Sequence, residues 1–165
     1  MFERYPPSSV RALFVARNTA TSVGSPLIDA GHLLAGSIEA WLEGSSYRPE
    51  VFRRLGFTAP SEQPPAINPD IQFSPVVQRL LQDAMAQADR LGHRQIRPQH
   101  LLLALLDKPD YPESTILKEL GIGRDVLATS AAREALVDDR PLAYGAHLES
   151  RVDRPFIRTK RDGAV

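Results

Sequence analysis

Four histidines (His32, His93, His100 and His147) and two acidic pairs (Asp107 with Asp110, Asp138 with Asp139) are the side chains of this 165-residue chain with chemistry to offer. Imidazoles can ligate a metal or shuttle protons, and paired carboxylates can divide acid and base roles. The spacing argues against both uses. Zinc motifs set their ligands at short intervals such as H-x-x-x-H or H-E-x-x-H, and neither occurs. The acidic pairs sit in turn-like contexts with glycine or proline nearby, which suits solvated turns. There is no cysteine, so thiol nucleophiles, disulfides and thiolate zinc sites are excluded, and no serine stands in a G-x-S-x-G elbow. No catalytic residue, metal or cofactor is expected.

The histidines instead point to a duplication. Sliding the chain along itself by 68 residues sets Tyr5 on Phe73, Pro7 on Pro75, Arg11 on Arg79 and Leu13 on Leu81. Ala16 then meets Ala84, Ala20 meets Ala88, Gly24 meets Gly92, Ile28 meets Ile96, and His32-Leu33-Leu34 meets His100-Leu101-Leu102. After a shorter loop, Leu55-Gly56 finds Leu120-Gly121. One motif occurs twice. Because His32 and His100 obey the repeat, a shared packing or capping role explains them better than a metal site.

Each copy reads as helices. In the second, Val77, Leu81, Ala84, Ala88 and Leu91 form one apolar stripe, with Ser74 placed to cap, Pro75 in the first turn and Gly92 as the stop. The matching stripe is Leu13, Ala16, Ala20 and Val23, ending at Gly24. A second helix starts near Asp29 and carries Leu33, Leu34, Ile38 and Trp41; its partner runs from Pro98 through Leu106. Short third helices are expected over Pro49–Leu55 and Ser114–Leu120, and a further one over Arg124–Leu136. Small alanines in the long stripes let neighbouring helices approach closely. One copy could hardly bury its own apolar face, so both copies pack as a pseudo-twofold unit.

The expected organisation is therefore a first repeat over 1–57, a Pro-rich linker over 58–72, a second repeat over 73–136 and a flexible tail over 137–165, together one structural domain. The linker stands where the first copy would have its further helix; Thr58 to Pro69 holds four prolines in twelve residues. Tail residues Arg151, Arg154, Arg158, Lys160 and Arg161 are locally basic and read as a solvated tail.

Twenty basic residues balance twenty acidic ones, so no global attraction draws the chain to nucleic acid or an anionic membrane. The longest uninterrupted apolar run, Leu101 to Leu106, is far short of a membrane span. The N-terminus, with an early acid and Pro6-Pro7, lacks the apolar run of a signal peptide. A cytoplasmic protein is expected, with its oligomeric state open.

Met1-Phe2-Glu3-Arg4-Tyr5 resembles the opening of ClpC-type AAA+ unfoldases. The doubled pattern of long helix, glycine, isoleucine and His-Leu-Leu is similar to the Clp N-terminal double repeat. This resemblance implies an all-α, eight-helix-type bundle that receives adaptors and substrates above an ATPase ring. The ring is absent, and no G-x-x-x-x-G-K-[ST] phosphate loop occurs, so ATP hydrolysis is not expected. The chain is then a stand-alone N-domain or a fragment of something longer. Family members often carry Gly-Thr-Glu-His before each Leu-Leu, and that glutamate helps hold phosphorylated arginine. Here the glutamate positions are Gly31 and Gln99, neither charged, so phosphoarginine binding is expected to be weak or lost.

The resemblance also places a candidate protein- or peptide-binding patch at Phe2, Leu13, Phe14, Arg17, Phe73, Gln78 and Gln82. Phe14 is the most suggestive, because its counterpart is Gln82 and the fold does not demand an apolar side chain there. If it is not on a binding surface, it packs under the tail or the linker. The expected function is a non-catalytic module of Clp-type proteolysis or chaperone systems, binding an adaptor, substrate, protease subunit or unfoldase. The alternative is a protein that sequesters small molecules or peptides in the same groove.

Overall fold

In a computed structural model describing residues 2–43, 47–57 and 70–138, the chain is a helical bundle with one two-residue parallel strand pair. The order is α1 (Pro7–Ser22), β1 (Leu27–Ile28), α2 (Ala30–Trp41), α3 (Tyr47–Arg54), β2 (Gln72–Phe73), α4 (Pro75–Arg90), α5 (Pro98–Leu106), α6 (Pro112–Glu119) and α7 (Arg124–Asp138). The all-α expectation holds, and α1 and α4, related by the repeat, are equal in length at 16 residues. Residues 58–69 and 139–165, which carry most of the expected linker and tail, lie outside the described residues. The linker boundary expected at 72 falls inside β2, and Ile71 is buried in the core.

Local signals set the helix limits. Ser74 Oγ accepts the Val77 N–H at 3.2 Å, and Pro75 opens α4 with the missing N–H a helix start does not need. Gly24 and Gly92 end the long helices at φ +69° and +70°, where a side chain would be strained. α6 begins at Pro112, two residues earlier than expected, again with proline in its first turn. The stripe on α1 keeps Ala16 and Ala20 of the expected one but not its ends. Ser9, Ala12, Ala16, Thr19 and Ala20 face the core, while Leu13 is half-buried and Val23 is exposed. Leu91 is likewise exposed. Val23 and Leu91 are the C-cap residues, so neither continues its helix face.

The core is centred on α2 and α5, whose Leu33, Leu34, Ile38, Leu101, Leu102, Leu103 and Leu105 are essentially inaccessible. The small residues of α1 do what small residues allow. A Cβ added at Gly36 of α2 would stand 2.1 Å from the Ala12 carbonyl oxygen and 2.9 Å from the Ala16 nitrogen. α1 and α2 therefore touch backbone to backbone, which only glycine permits there.

The copies are joined by an exchange. The segment leading into α1 bonds to the second repeat, with the Ile96 N–H donating to the Arg4 carbonyl at 2.8 Å. The segment leading into α4 bonds to the first, with Ile28 paired to Phe73 and the Ser74 N–H donating to the Ile28 carbonyl at 3.0 Å. Proline breaks the symmetry: Pro6, the counterpart of Ser74, has no N–H to give Ile96. Ser9 Oγ donates to that buried carbonyl instead, at 2.6 Å.

Candidate functional site

The N-terminal segment is fastened by charge-assisted bonds. The Arg4 guanidinium donates to the Arg94 carbonyl (2.8 Å), the His93 carbonyl (3.0 Å) and Asp89 Oδ1 (2.8 Å). A cation is thus seated where α4 ends and its carbonyls carry partial negative charge. Phe2 and Tyr5 are held beside α4, edge to face at 5.1 Å. Burial raises the Tyr5 phenol above its ordinary value, with Arg4 opposing, so it stays neutral.

These two rings form one wall of a shallow groove of about 70 Å³, completed by Leu81, Gln82, Met85 and Ile96. Phe2 and Met85 are 42% and 44% exposed, large apolar groups left accessible on a helical surface. Among the described residues no charged side chain lines the groove. Such a site can seat an apolar side chain; its described lining holds no nucleophile and no acid–base pair.

Of the sequence-derived patch, Phe2 and Gln82 line this groove. Phe14 is 51% exposed on α1, with Arg17 one turn further on and half-buried. Leu13 packs against the main core, and Phe73 is half-buried against Ile28 and the main core. Gln78 is exposed and donates from Nε2 to the Phe73 carbonyl at 3.2 Å. Sequence reasoning missed Tyr5, Leu81, Met85 and Ile96 as lining residues. The repeat carried a signal for three of them, since Met85 is the counterpart of Arg17, Leu81 that of Leu13 and Tyr5 that of Phe73.

The two altered phosphoarginine positions are enclosed differently. A side chain at Gly31 would meet Leu55, Phe57 and Glu113 at 3.4–3.5 Å. Gln99 is fully buried under α7, where its Nε2 donates to Ser130 Oγ (3.0 Å) and Glu134 Oε1 (2.7 Å). Arg97, also buried, brings Nε to 3.7 Å from Glu134 Oε2.

His32 and His100 cap helices. The Asp29 N–H donates to His32 Nδ1 at 2.9 Å and the Arg97 N–H to His100 Nδ1 at 2.8 Å, the same bond in both repeats. Arg97 stands at the cap position yet has no acceptor to offer, so the imidazole does the capping. His147 lies outside the described residues, and among the described residues no group of three metal-ligating side chains occurs. Asp107 accepts from Gln87 and Arg124, a structural use. Asp139 and the tail arginines fall outside the described residues.

Residues 72–158 match the family model described as the Clp repeat (R) N-terminal domain, a span reaching beyond Leu136 into the expected tail. The rice chloroplastic chaperone protein ClpC1 is 25% identical over 156 residues, covering 88% of this chain and 16% of that protein. The Arabidopsis thaliana chloroplastic ClpC1 is 24% identical, covering 81% and 15%. The chain thus spans about a sixth of the length of the curated relatives it matches. The crystal structure of the N-terminal domain of the chaperone ClpD from Arabidopsis thaliana superposes with a TM-score of 0.59 at 24% identity, covering 81% of this chain and 96% of that one. The Hsp104 N-terminal domain from Candida albicans gives 0.54 at 23% identity, covering 78% and 89%. Among the described residues no helix is long and apolar enough to cross a membrane.

Proposed function

The chain belongs to the Clp repeat N-terminal domain family, and on that premise we propose that it is a non-catalytic binding module of Clp-type ATP-dependent proteolysis or chaperone systems. The observation that carries this reading is the groove of Phe2, Tyr5, Leu81 and Met85 on a helical support, with no charged side chain among its described lining residues. An apolar side chain of an adaptor, substrate, protease subunit or unfoldase inserts there and supplies affinity, while surrounding charges orient it. Phe14 and Arg17 extend the same recognition surface along α1. Nucleic acid and membrane are not its partners, its organisation is one domain of two repeats, and its proposed location is the cytoplasm.

Affinity capture from lysate with wild type, Met85→Asp and Phe14→Asp, each checked for cooperative melting, tests the reading. A Clp component retained by wild type and lost with Met85→Asp supports module and groove together. Retention by all three baits supports the module and removes the groove and patch. Capture of no Clp component by wild type removes the module.

The small apolar groove also suits a second reading, sequestration of hydrophobic peptides or small molecules. Thermal-shift screening against hydrophobic peptide-like compounds separates it from protein binding. Phosphoarginine binding is proposed to be weak or absent, since neither Gly31 nor Gln99 offers a carboxylate to a guanidinium. Saturable calorimetric binding of free phosphoarginine in the micromolar range would overturn that.

A further inference from the structure

His93 and His100 form a hydrogen-bonded pair, His93 Nδ1 lying 2.9 Å from His100 Nε2. Counting protons assigns the direction of this bond. His100 Nδ1 already accepts the Arg97 N–H, so its single ring proton is on Nε2. That proton is donated to His93 Nδ1, which leaves the His93 proton on Nε2. Both rings are therefore neutral, and an added proton has no free place. On His93 Nδ1 it would face the His100 N–H; on His100 Nδ1 it would face the Arg97 N–H.

Among the described residues, the charges around the pair reinforce this. Arg4 from the N-terminal segment, Arg94 in the loop and Arg97 at the start of α5 are cationic, set against Asp89 of α4, which is bound to Arg4, and Glu134 of α7, beside Arg97. His100 is fully buried, so water cannot take over a lost bond. The loop that carries His93 is also the anchor of the N-terminal segment. The His93 and Arg94 carbonyls receive the Arg4 guanidinium, and the Ile96 N–H reaches the Arg4 carbonyl.

We propose that the His93–His100 pair is a proton-sensitive latch that holds the N-terminal segment, and with it the Phe2–Tyr5 wall of the groove, in place. At pH 7.5 the pair is neutral and the latch is closed. Acidification through the range in which a free imidazole takes up a proton, near 6.5, favours opening, because the opened loop binds a proton that the closed pair has no place for; the loop over 92–96 then shifts and Arg4 loses its carbonyl acceptors. The gating of binding rests on the groove reading above; release of the segment does not.

The duplication supplies an internal control. In the first repeat the counterpart of His93 is Ser25, whose hydroxyl donates to the Leu27 carbonyl, so the Ser74 N–H bond to Ile28 is held without a histidine pair. The test is amide exchange on the full chain between pH 7.5 and 5.5, a window above the range in which carboxylates protonate. After correction for intrinsic rates, Ile96 exchange is expected to accelerate by about ten-fold or more relative to Ser74. In His93→Gln, which keeps an acceptor for His100 but takes up no proton, the ratio is expected to stay constant. Nitrogen-15 ring spectra at pH 7.5 should show both rings protonated on Nε2. A constant Ile96-to-Ser74 ratio in wild type, or His93 protonated on Nδ1, overturns the latch whether or not the variant folds. Equal acceleration in wild type and His93→Gln also overturns it. Failure of the groove alone would show instead as unchanged capture by Met85→Asp at pH 7.5.

Discussion

The Trp41 indole N–H donates to Ser130 Oγ at 2.9 Å, and the same hydroxyl accepts the Gln99 amide at 3.0 Å. One serine on α7 thereby ties α2 of the first repeat to α5 of the second. Ser130→Ala leaves two partly or fully buried donors short of an acceptor. It is expected to cost about 1–3 kcal/mol, read as a lower urea midpoint. Trp41 is the single tryptophan, so its emission should shift to the red in the native state. An unchanged midpoint and spectrum would show that the hydroxyl is dispensable.

Ser9 stands in for the N–H that Pro6 lacks. Ser9→Ala strands the Ile96 carbonyl in the core, at an expected cost of about 1–2 kcal/mol and a Tm lower by roughly 3–8 °C. The double variant Pro6→Ser with Ser9→Ala restores an N–H at the position Ser74 occupies in the second repeat. It should recover part of that loss; if it melts no higher than Ser9→Ala, the compensation between the two positions is refuted.

Gly36→Ala is expected to be the most damaging single methyl in the protein. The new carbon falls on backbone atoms of α1, which cannot rotate away as a side chain would. Separating two helices packed this closely costs about 3 kcal/mol or more. The variant should lose cooperative melting or most of its soluble yield. Wild-type stability would mean that α1 and α2 do not cross this closely.

Stability should fall on acidification through His32. Burial lowers its ring below the ordinary imidazole range, and the Asp29 carboxylate opposes this more weakly. The unfolded chain therefore binds the proton more readily, and stability is lost as pH drops from the unfolded value toward the folded one. His32→Gln keeps an acceptor for the Asp29 N–H and removes the titration. Urea midpoints of wild type should decline from pH 7.5 to 5.5 more steeply than those of the variant. Parallel slopes would exclude His32 as a contributor.

Glu113 works in the opposite direction. Burial raises its carboxyl, Asp29 adding to the effect while its own backbone N–H counters it. The native state then holds the proton more tightly, so the contribution of Glu113 is favourable in acid and is lost as pH rises through the folded value. Glu113→Gln should melt higher than wild type at pH 7, with the gain shrinking toward pH 4. A gain independent of pH would assign the effect to packing.

By itself the sequence determined the 68-residue repeat and most of what depends on local spacing. The proline and glycine limits of α4, the His-Leu-Leu helix starts and the absence of catalytic motifs follow from residues close in the chain. That His32 and His100 share a structural role, packing or capping, was legible too, because a ligand has no reason to respect a duplication; the bonds to Asp29 and Arg97 are what make it capping. Tertiary structure alone decided the relations between distant segments. Nothing near Tyr5 says that it pairs with Phe2 against Leu81 and Met85, since the exchange of leading segments between the repeats is a long-range choice. On α1 the expected Ala16 and Ala20 are buried, but Ala12 takes the place expected of Leu13 for the same reason: Ala12 faces inward because Gly36 lets α2 come to backbone contact there, and periodicity cannot report how closely a partner helix approaches.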